Sequence, residues 1–449
     1  MWLRLGAVWG IASSVLISSP LRADFAVLSD VSSMPHEDSD LIPLDPIRPL
    51  NGNTGEDFLG GSDYAELVAL SDSNLGGMPS PDEQEIGLVN MPPEAEDHLW
   101  RIRPQVSVGI TYDDNIFITN TDRLADLIYN IDVGFGFELG DYRERKENFL
   151  ILKYLASASY FGRYTNQNTV NQSGSFSGQY CLAPMTMQVD SEYQYINGAD
   201  RDVGSFTKRT IFNNTLRFLY PYSNKTDLDL EFNQRSTFYP NSLSNYSYEV
   251  QPGFDYNIFS KTQVGVEGIL GLAEVQEGPD MWYQTINGRL NYSISGKFML
   301  KAKAGLQLSE YASGGQDLTM ISVFSLGGEY QLLPKTTLRF NAYRRMQTSG
   351  IAGQDFIATG GEFFLGQNYS EKLMFSMSTG YENDVYVPRT STVEVNREDN
   401  FLFFRPKISY LCMKKMQLSL SYEYKVNNSS EPQSGWYSNR INFEISYDF

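Results

Sequence analysis

The sequence is poor in histidine and cysteine, with only two of each in 449 residues. His36 and His98 both lie in the first hundred residues, so the longer remainder has no imidazole for general-base chemistry or zinc binding. Outer-membrane phospholipases, acyltransferases and proteases depend on such a histidine and are therefore disfavoured. A phosphate-binding loop and a dinucleotide fingerprint are also missing. We predict a protein that is not an enzyme and has no catalytic residues, cofactor, metal site or nucleic-acid partner.

The two cysteines, Cys181 and Cys412, each lie near the end of a different candidate strand. A disulfide would need their Cα atoms within about 7 Å of each other. Because the two strands are far apart in strand order, we predict that both cysteines are unpaired and serve as small hydrophobic residues.

Long hydrophobic runs are also absent, which argues against a transmembrane helix of roughly 20 residues. The one notable run, residues 6–17, follows Arg4 and precedes a Ser-Ser-Pro segment and a small residue, Ala23. This order is typical of a cleaved secretory signal peptide, predicted here for residues 1–23. A short N-terminal membrane anchor is the disfavoured alternative.

Basic residues are nearly absent from residues 24–98, which hold 17 acidic residues against one basic residue, Arg48. High charge with frequent Pro and Gly opposes a packed core, so we predict a disordered acidic periplasmic leader. Its short apolar stretch, residues 64–70, is a candidate docking helix for a periplasmic partner.

The remainder, residues 99–449, is rich in Tyr, Phe and Gly and alternates with period two. In the second segment, for example, Tyr129, Ile131 and Val133 alternate with Asn130 and Asp132, so one face of the strand is apolar and the other polar. Eighteen such segments follow one another: 102–113, 126–139, 148–164, 169–182, 185–197, 207–220, 225–237, 245–258, 261–275, 281–294, 297–312, 317–331, 335–347, 353–367, 371–384, 399–412, 415–428 and 437–449.

This pattern predicts an all-β fold, a transmembrane antiparallel up-and-down β-barrel of about 18 strands. Short and long connections alternate, as in barrels with periplasmic turns and outer loops, and aromatic residues collect toward segment ends. Closure would satisfy every backbone group in lipid. The expected location is the bacterial outer membrane, among its lipids and lipopolysaccharide; a secreted β-solenoid or sandwich is the alternative.

The last segment, residues 437–449, ends on Phe449 with Tyr447 on the same face. It resembles the closing strand of bacterial outer-membrane β-barrels, and the resemblance implies that Tyr447 and Phe449 form a signal for the barrel-assembly machinery. We expect this strand to pair with the segment near Arg101.

The polar parity predicts the lining of the lumen. A barrel of this strand number is wide enough for water, so we expect a porin-like channel that passes ions or small hydrophilic solutes. The predicted pore-lining residues carry both signs of charge: Asp132, Arg217, Asp227, Asp229, Glu231, Arg289, Lys301, Lys303, Arg339, Glu423, Arg440 and Glu444.

The first hairpin carries the stretch T-Y-D-D-N-I-F, which begins at Thr111, and Asp126 opens the next strand. Its residues Tyr112, Asp113, Asp114 and Asn115, with Asp126, resemble the entry motif of β-barrel porins of the BBP2 type. That resemblance implies kinship with barrels of exopolysaccharide systems, and hence an alternative role as a structural or export-accessory barrel. From the residues themselves, the motif predicts a turn whose side chains bond backbone N–H groups, or else a site for a hard cation.

Overall fold

The period-two segments form strands in a computed structural model, which describes residues 99–449 except 143–144, 242, 277, 296, 313–317 and 391–393. The predicted signal peptide and acidic leader lie outside the described residues. The strands are β1 Trp100–Asp113, β2 Asp126–Gly140, β3 Phe149–Phe161, β4 Thr169–Leu182, β5 Met185–Asp200, β6 Ser205–Ser223, β7 Thr226–Phe238, β8 Asn245–Phe259, β9 Thr262–Val275, β10 Met281–Ser295, β11 Phe298–Tyr311, β12 Thr319–Leu333, β13 Thr336–Thr348, β14 Gln354–Asn368, β15 Leu373–Pro388, β16 Glu398–Met413, β17 Met416–Ser429 and β18 Trp436–Asp448.

These strands confirm the predicted fold class and the predicted count. Most observed bounds lie within two or three residues of the predicted ones. The largest differences concern β5, β6 and β15, whose C-terminal ends lie three or four residues beyond the predicted ones. The predicted loop around residues 198–206 therefore shrinks to a tight turn, residues 201–204, at the tip of a long hairpin.

The sheet is a closed antiparallel ring of 18 strands in which each strand pairs with its neighbours in the chain. Closure occurs between β1 and β18, in a register that runs from Gln105 opposite Asp448 to Asp113 opposite Arg440. Closing the ring leaves no full-length free edge, which is the way a sheet satisfies its backbone in lipid. The expected pairing of the last strand with the first is confirmed.

The two faces of the wall differ sharply in chemistry. On β10, Ile286 is 74% exposed on the outside, whereas its neighbours Thr285 and Asn287 are buried on the inside. Large apolar side chains such as Leu420 and Trp282 cover the exterior in the same way. An apolar exterior around a polar interior is the arrangement of a barrel whose solvent outside is lipid.

Helix is nearly absent from the described part of the chain, where the structure assigns one 3₁₀ turn, Thr165–Gln167. No helix in that part is long and apolar enough to span a membrane. Cys181 and Cys412 are both free, as predicted.

One corner of the ring departs from a simple cylinder. The pairing between β12 and β13 ends at Phe324 and Arg344, and five consecutive residues of β14, 354–358, are buried. Burial of successive residues means that both faces of the strand are covered. The loop-side ends of β13 and β14, residues 345–358, therefore turn into the barrel, and we call them the curled hairpin.

Candidate functional site: the lumen and its constriction

The structure places the charged residues predicted to line the pore on the inner face of the wall. They alternate along each strand with the outward apolar side chains. On β10, for example, Arg289 is on the same face as the buried Asn287, and Leu290 is on the same face as the exposed Ile286. Whether these residues line a conducting path stays a prediction, but their contacts can be described, and they fall into two networks.

The first network lies on β6 to β11 and is centred on Arg289. Its guanidinium contacts Asp229 at 2.5 Å, Asp255 at 2.8 Å and Glu267 at 3.3 Å, and Glu267 also receives Lys303 at 3.0 Å. The acidic residues of β7 and the basic residues of β11 are thus joined along one wall. Opposite charges paired within one wall partly cancel, which weakens the field that they project into the lumen.

Other predicted residues extend this wall. Arg217 forms an ion pair with Glu231, and Asp227 accepts a hydrogen bond from the Gln263 amide at 2.9 Å. Lys301 lies opposite Asn291 in the β10–β11 register. The wall is therefore a continuous polar surface.

The second network lies where the ring closes. Glu423 contacts Arg405 at 2.5 Å and Lys425 at 3.0 Å, and Arg440 links Glu423, at 3.9 Å, to Asp113 of β1, at 2.9 Å. The Arg440–Asp113 contact crosses the β1–β18 seam and connects it to the charges of β16 and β17.

The remaining predicted residues are placed as follows. Asp132 accepts a hydrogen bond from Ser107 Oγ at 2.6 Å, and the Arg339 guanidinium lies 4.2 Å from the ring centre of Phe364. Glu444 is opposite Gly109 in the closing register.

The sequence did not reveal the most prominent feature of the lumen, a bridge across it. Arg201, in the turn between β5 and β6, pairs with Glu382 and, at 2.8 Å, with Asp384 on β15. Its guanidinium also lies 4.6 Å from the ring centre of Phe401 on β16. Because β5 and β15 are nearly opposite in the ring, the hairpin tip must fold inward and span the lumen. We call residues 201–204 the constriction tip.

Asp202 fastens the same tip to the curled hairpin. Its carboxylate accepts hydrogen bonds from Ser349 Oγ at 2.8 Å, from the Gly350 N–H at 2.6 Å and from the Tyr386 hydroxyl at 3.1 Å. Burial raises the pKa of Asp202 above its ordinary value, the nearby Asp200 raises it further, and the accepted hydrogen bonds oppose both. The tip is therefore held by polar contacts on more than one side.

Further groups support the base of the tip. The Tyr239 hydroxyl donates to Asp200 at 2.9 Å, and burial together with the adjacent carboxylates raises the pKa of Tyr239. Arg397, after the loop that follows β15, donates to the backbone carbonyl of Asp202 at 3.0 Å. Loop residues from distant parts of the sequence thus converge on this hairpin.

The loop after β1 also folds inward. Ile118 joins an apolar cluster with Phe401, Phe403 and Trp436, and Phe117 makes an edge-to-face contact with Phe206 at 5.8 Å. Together with the constriction tip and the curled hairpin, this loop narrows the loop-side end of the lumen.

The entry motif has a clear structural task. Asp113 accepts from Ser438 Oγ at 3.0 Å as well as from Arg440, Asp114 accepts from the Asn439 N–H at 2.7 Å, and the Asn115 amide donates to the Tyr437 carbonyl at 2.8 Å. All three side chains therefore bind β18 and hold the ring closed at its loop end.

Two members of the motif lie apart from this seam lock. Tyr112 is exposed on the outer face. Asp126 accepts from the backbone N–H groups of Arg163 and Tyr164 and so caps the next loop. Within the described residues, no three histidine, cysteine or acidic side chains converge in a way that would hold a metal ion. The contacts of the motif are those of turn and seam chemistry.

Tyr447 and Phe449 lie side by side on the outer face. Their ring centroids are 4.9 Å apart in an edge-to-face contact, and the Phe449 N–H donates to the Pro104 carbonyl at 3.1 Å. The role of this pair as an assembly signal stays a prediction.

Comparisons with known proteins give likenesses in shape alone. No family model matches the chain, and no curated protein matches it. Similar solved structures include the outer membrane protein opdK from Pseudomonas aeruginosa, at 10% identity and a TM-score of 0.40, over 78% of this chain and 99% of that chain. Two others are OccK2 (OpdF) from Pseudomonas aeruginosa in complex with glucuronate, at 10% identity and a TM-score of 0.41, over 78% and 98%, and Acinetobacter baumannii OccAB3, at 10% and 0.40, over 78% and 99%.

Proposed function

We propose that this protein is a porin-like channel of the bacterial outer membrane that passes ions and small hydrophilic solutes. One observation carries the proposal: a closed 18-stranded ring has an apolar exterior and an interior lined by charged and amide side chains. A soluble barrel would have a polar exterior, and a barrel filled with an apolar core would not have so many charged side chains inside.

The constriction tip would limit the passage of solutes through such a channel. Solutes that enter from the loop side meet Arg201 and its partners Glu382 and Asp384 before they reach the wider polar walls below. A bridge made of ion pairs can break and re-form when water reaches it, because hydration of the separated charges offsets the loss of their attraction. We therefore propose a channel of small conductance whose open state requires the tip to leave the opposite wall.

Planar-bilayer recording of the purified full-length protein tests this function. We expect discrete conductance steps whose size depends on salt concentration. A correctly folded, heat-modifiable barrel that inserts into the bilayer and stays silent at all applied voltages would refute the channel.

We further propose, from the residue pattern of the entry motif and the charge of the leader, that the barrel is of the BBP2 type and works beside an exopolysaccharide system. In this role the acidic residues 24–98 bind a basic periplasmic partner, with 17 acidic residues to one basic residue as the recognition feature. A pulldown with residues 24–98 should recover a partner that high salt releases; recovery of nothing at low salt would count against the accessory role.

A further inference from the structure

The seam between β12 and β13 is split on its loop side. The pairing begins at the turn with Leu333 opposite Thr336 and ends with Phe324 opposite Arg344. β12 continues beyond this point to Thr319 and β13 continues to Thr348, yet residues 320–323 have no described partner on β13. A split in the wall is unexpected in a membrane barrel, because paired strands are what keep backbone groups out of lipid.

The curled hairpin explains where the loop-side end of β13 goes. Met346 Sδ lies 3.9 Å from Ser309 Oγ of β11, a strand that is not its neighbour in the ring. The Tyr311 hydroxyl of β11 likewise donates to Asp355 of β14 at 2.8 Å. The curled hairpin therefore overlaps the inner face of β11 and β12 instead of continuing the wall.

The overlap is packed by an apolar cluster on the inner side of the wall. Its buried members come from β9 to β14: Ile269, Ala273, Met281, Tyr283, Tyr311, Ile321, Met346 and Ile357. A pore for ions gains nothing from an apolar cluster at this position, because water and ions are poorly solvated beside it. Its side chains are of the kind against which a hydrocarbon chain packs favourably.

The outside of the split is apolar as well. Leu318 and Met320 are each 65% exposed at the start of β12, and Phe324 is exposed where the pairing ends. On the inner side, the Tyr283 ring belongs to the apolar cluster while its hydroxyl donates to Glu249 at 2.6 Å. Apolar side chains thus lie on both sides of the split, and the inner cluster borders a polar group of the lumen at Glu249.

We propose that the split β12–β13 seam is a lateral portal through which a single-chain amphiphile moves between the surrounding leaflet and the lumen. The curled hairpin, together with the end of β15 that is paired with it, moves away from β11 and β12. The hydrocarbon chain takes its place among the cluster residues, and the polar head faces the lumen near Glu249. This second route is distinct from the passage of ions past the constriction tip.

Photolabelling that distinguishes the two faces of β10 tests the portal. The full-length protein is reconstituted in liposomes with a dodecyl maltoside that carries a diazirine at the end of its chain, and adducts are located by mass spectrometry. Trp282 faces the lipid and should be labelled in every case. Met281 faces the cluster and should be labelled only if the chain enters through the seam.

A reversible crosslink supplies the matched comparison. In a C181S/C412S background, the S309C/M346C variant is joined by a short bis-methanethiosulfonate reagent, which pins the curled hairpin to β11. We expect loss of the Met281 adduct with retention of the Trp282 adduct, and recovery of both after reduction. The same reagent across L326C/A342C, opposite each other in the paired part of the seam, should leave the Met281 adduct unchanged.

Three results would overturn the portal. They are labelling of Trp282 with none at Met281 in the uncrosslinked protein, labelling of Met281 that persists after the S309C/M346C crosslink, and equal loss with the control pair. If the cysteine variants do not insert, I357Q provides a second variant, because it places a polar amide in the apolar cluster. It should reduce the Met281 adduct, and an unchanged adduct would also overturn the proposal. Conductance recorded on the same samples reports the channel separately.

Discussion

Removing Arg201 should open the channel. In the closed arrangement this side chain is 19% exposed and neutralises Glu382 and Asp384, whose side chains are 0% and 1% exposed. In R201A the docked tip would cover two carboxylates that have lost their cation. Breaking a buried ion pair by removal of one partner costs about 3–5 kcal/mol.

That cost falls on the closed state, because in the open state water reaches both carboxylates. We take the lower end, about 3 kcal/mol, since one partner is partly exposed. Such a change corresponds to about a 100-fold shift in the ratio of open to closed channels. Single-channel recording of R201A should therefore show long open dwell times where the parent shows brief ones.

Arg217 provides a matched control. It pairs with Glu231 at nearly the same exposure, 17% and 3%, but both residues lie on adjacent strands of one wall. R217A should lower thermal stability without changing the open probability. In R201A, the added changes E382Q and D384N remove the uncompensated charges and should restore part of the closed population. Unchanged gating in R201A, or equal gating changes in R217A, would refute the latch.

Three further predictions test the wall, the seam and the lumen. I286R places a charge on the lipid face near mid-strand and should destabilise the barrel by roughly 2–4 kcal/mol in denaturant titrations in lipid vesicles, whereas N287R on the inner face should cost less; equal costs would contradict the assignment of faces. D113A leaves Arg440 and Ser438 without their acceptor and should lower the unfolding temperature in detergent by an amount equivalent to about 1–3 kcal/mol; an unchanged temperature would remove the motif's role in closure. R289M removes the cation shared by Asp229, Asp255 and Glu267, of which Glu267 keeps Lys303, and should shift the reversal potential in a salt gradient toward cation selectivity; a shift toward anions would be inconsistent with a lumen-facing Arg289.

The strands were predictable because their signal is local. Alternation in a segment such as residues 126–139 follows from lipid on one face and water on the other, and needs no knowledge of distant residues. The seam between the last strand and the first was predictable for a related reason, since a barrel in lipid has to close.

The constriction tip was not predictable in the same way. Arg201 and Glu382 are separated by 181 positions, and nothing in the polar stretch around Arg201 distinguishes an inward-folded tip from a solvated outer loop. The unusual feature of this hairpin is its length, because β5 continues to Asp200 and β6 resumes at Ser205. A hairpin longer than the membrane requires can bend over the opening that it borders.

The entry motif illustrates a third case. Its residue types predicted turn bonding or cation binding, and the described contacts are bonds to β18. The partner strand follows the motif by more than 320 positions, so local spacing could name the chemistry of the side chains but not their partner.

The constriction tip and the curled hairpin are held by different forces, and this difference bears on how each can move. A ring of 18 strands is too wide for its wall side chains to fill, so any closure must come from elements that fold inward. The constriction tip is attached by ion pairs and hydrogen bonds, and its charged groups regain their hydration when the tip leaves the opposite wall. The curled hairpin has polar contacts too, with Asp202 and Tyr311, but its face toward β11 and β12 is packed by apolar side chains, whose exposure to water costs roughly 25 cal/mol per Å².

It follows that water alone can free the tip but not the curled hairpin. Met346 and Ile357 would leave the cluster at lower cost if another apolar group replaced them there, which is the condition that an entering hydrocarbon chain provides. The tip is therefore suited to respond to ions and voltage, and the hairpin to respond to an amphiphile. Because Asp202 bonds to Ser349 and Gly350 at the end of the curled hairpin, opening of the tip should also loosen the hairpin. Labelling of Met281 by the diazirine probe should accordingly increase in R201A, and labelling equal to that of the parent would show that the two elements move independently.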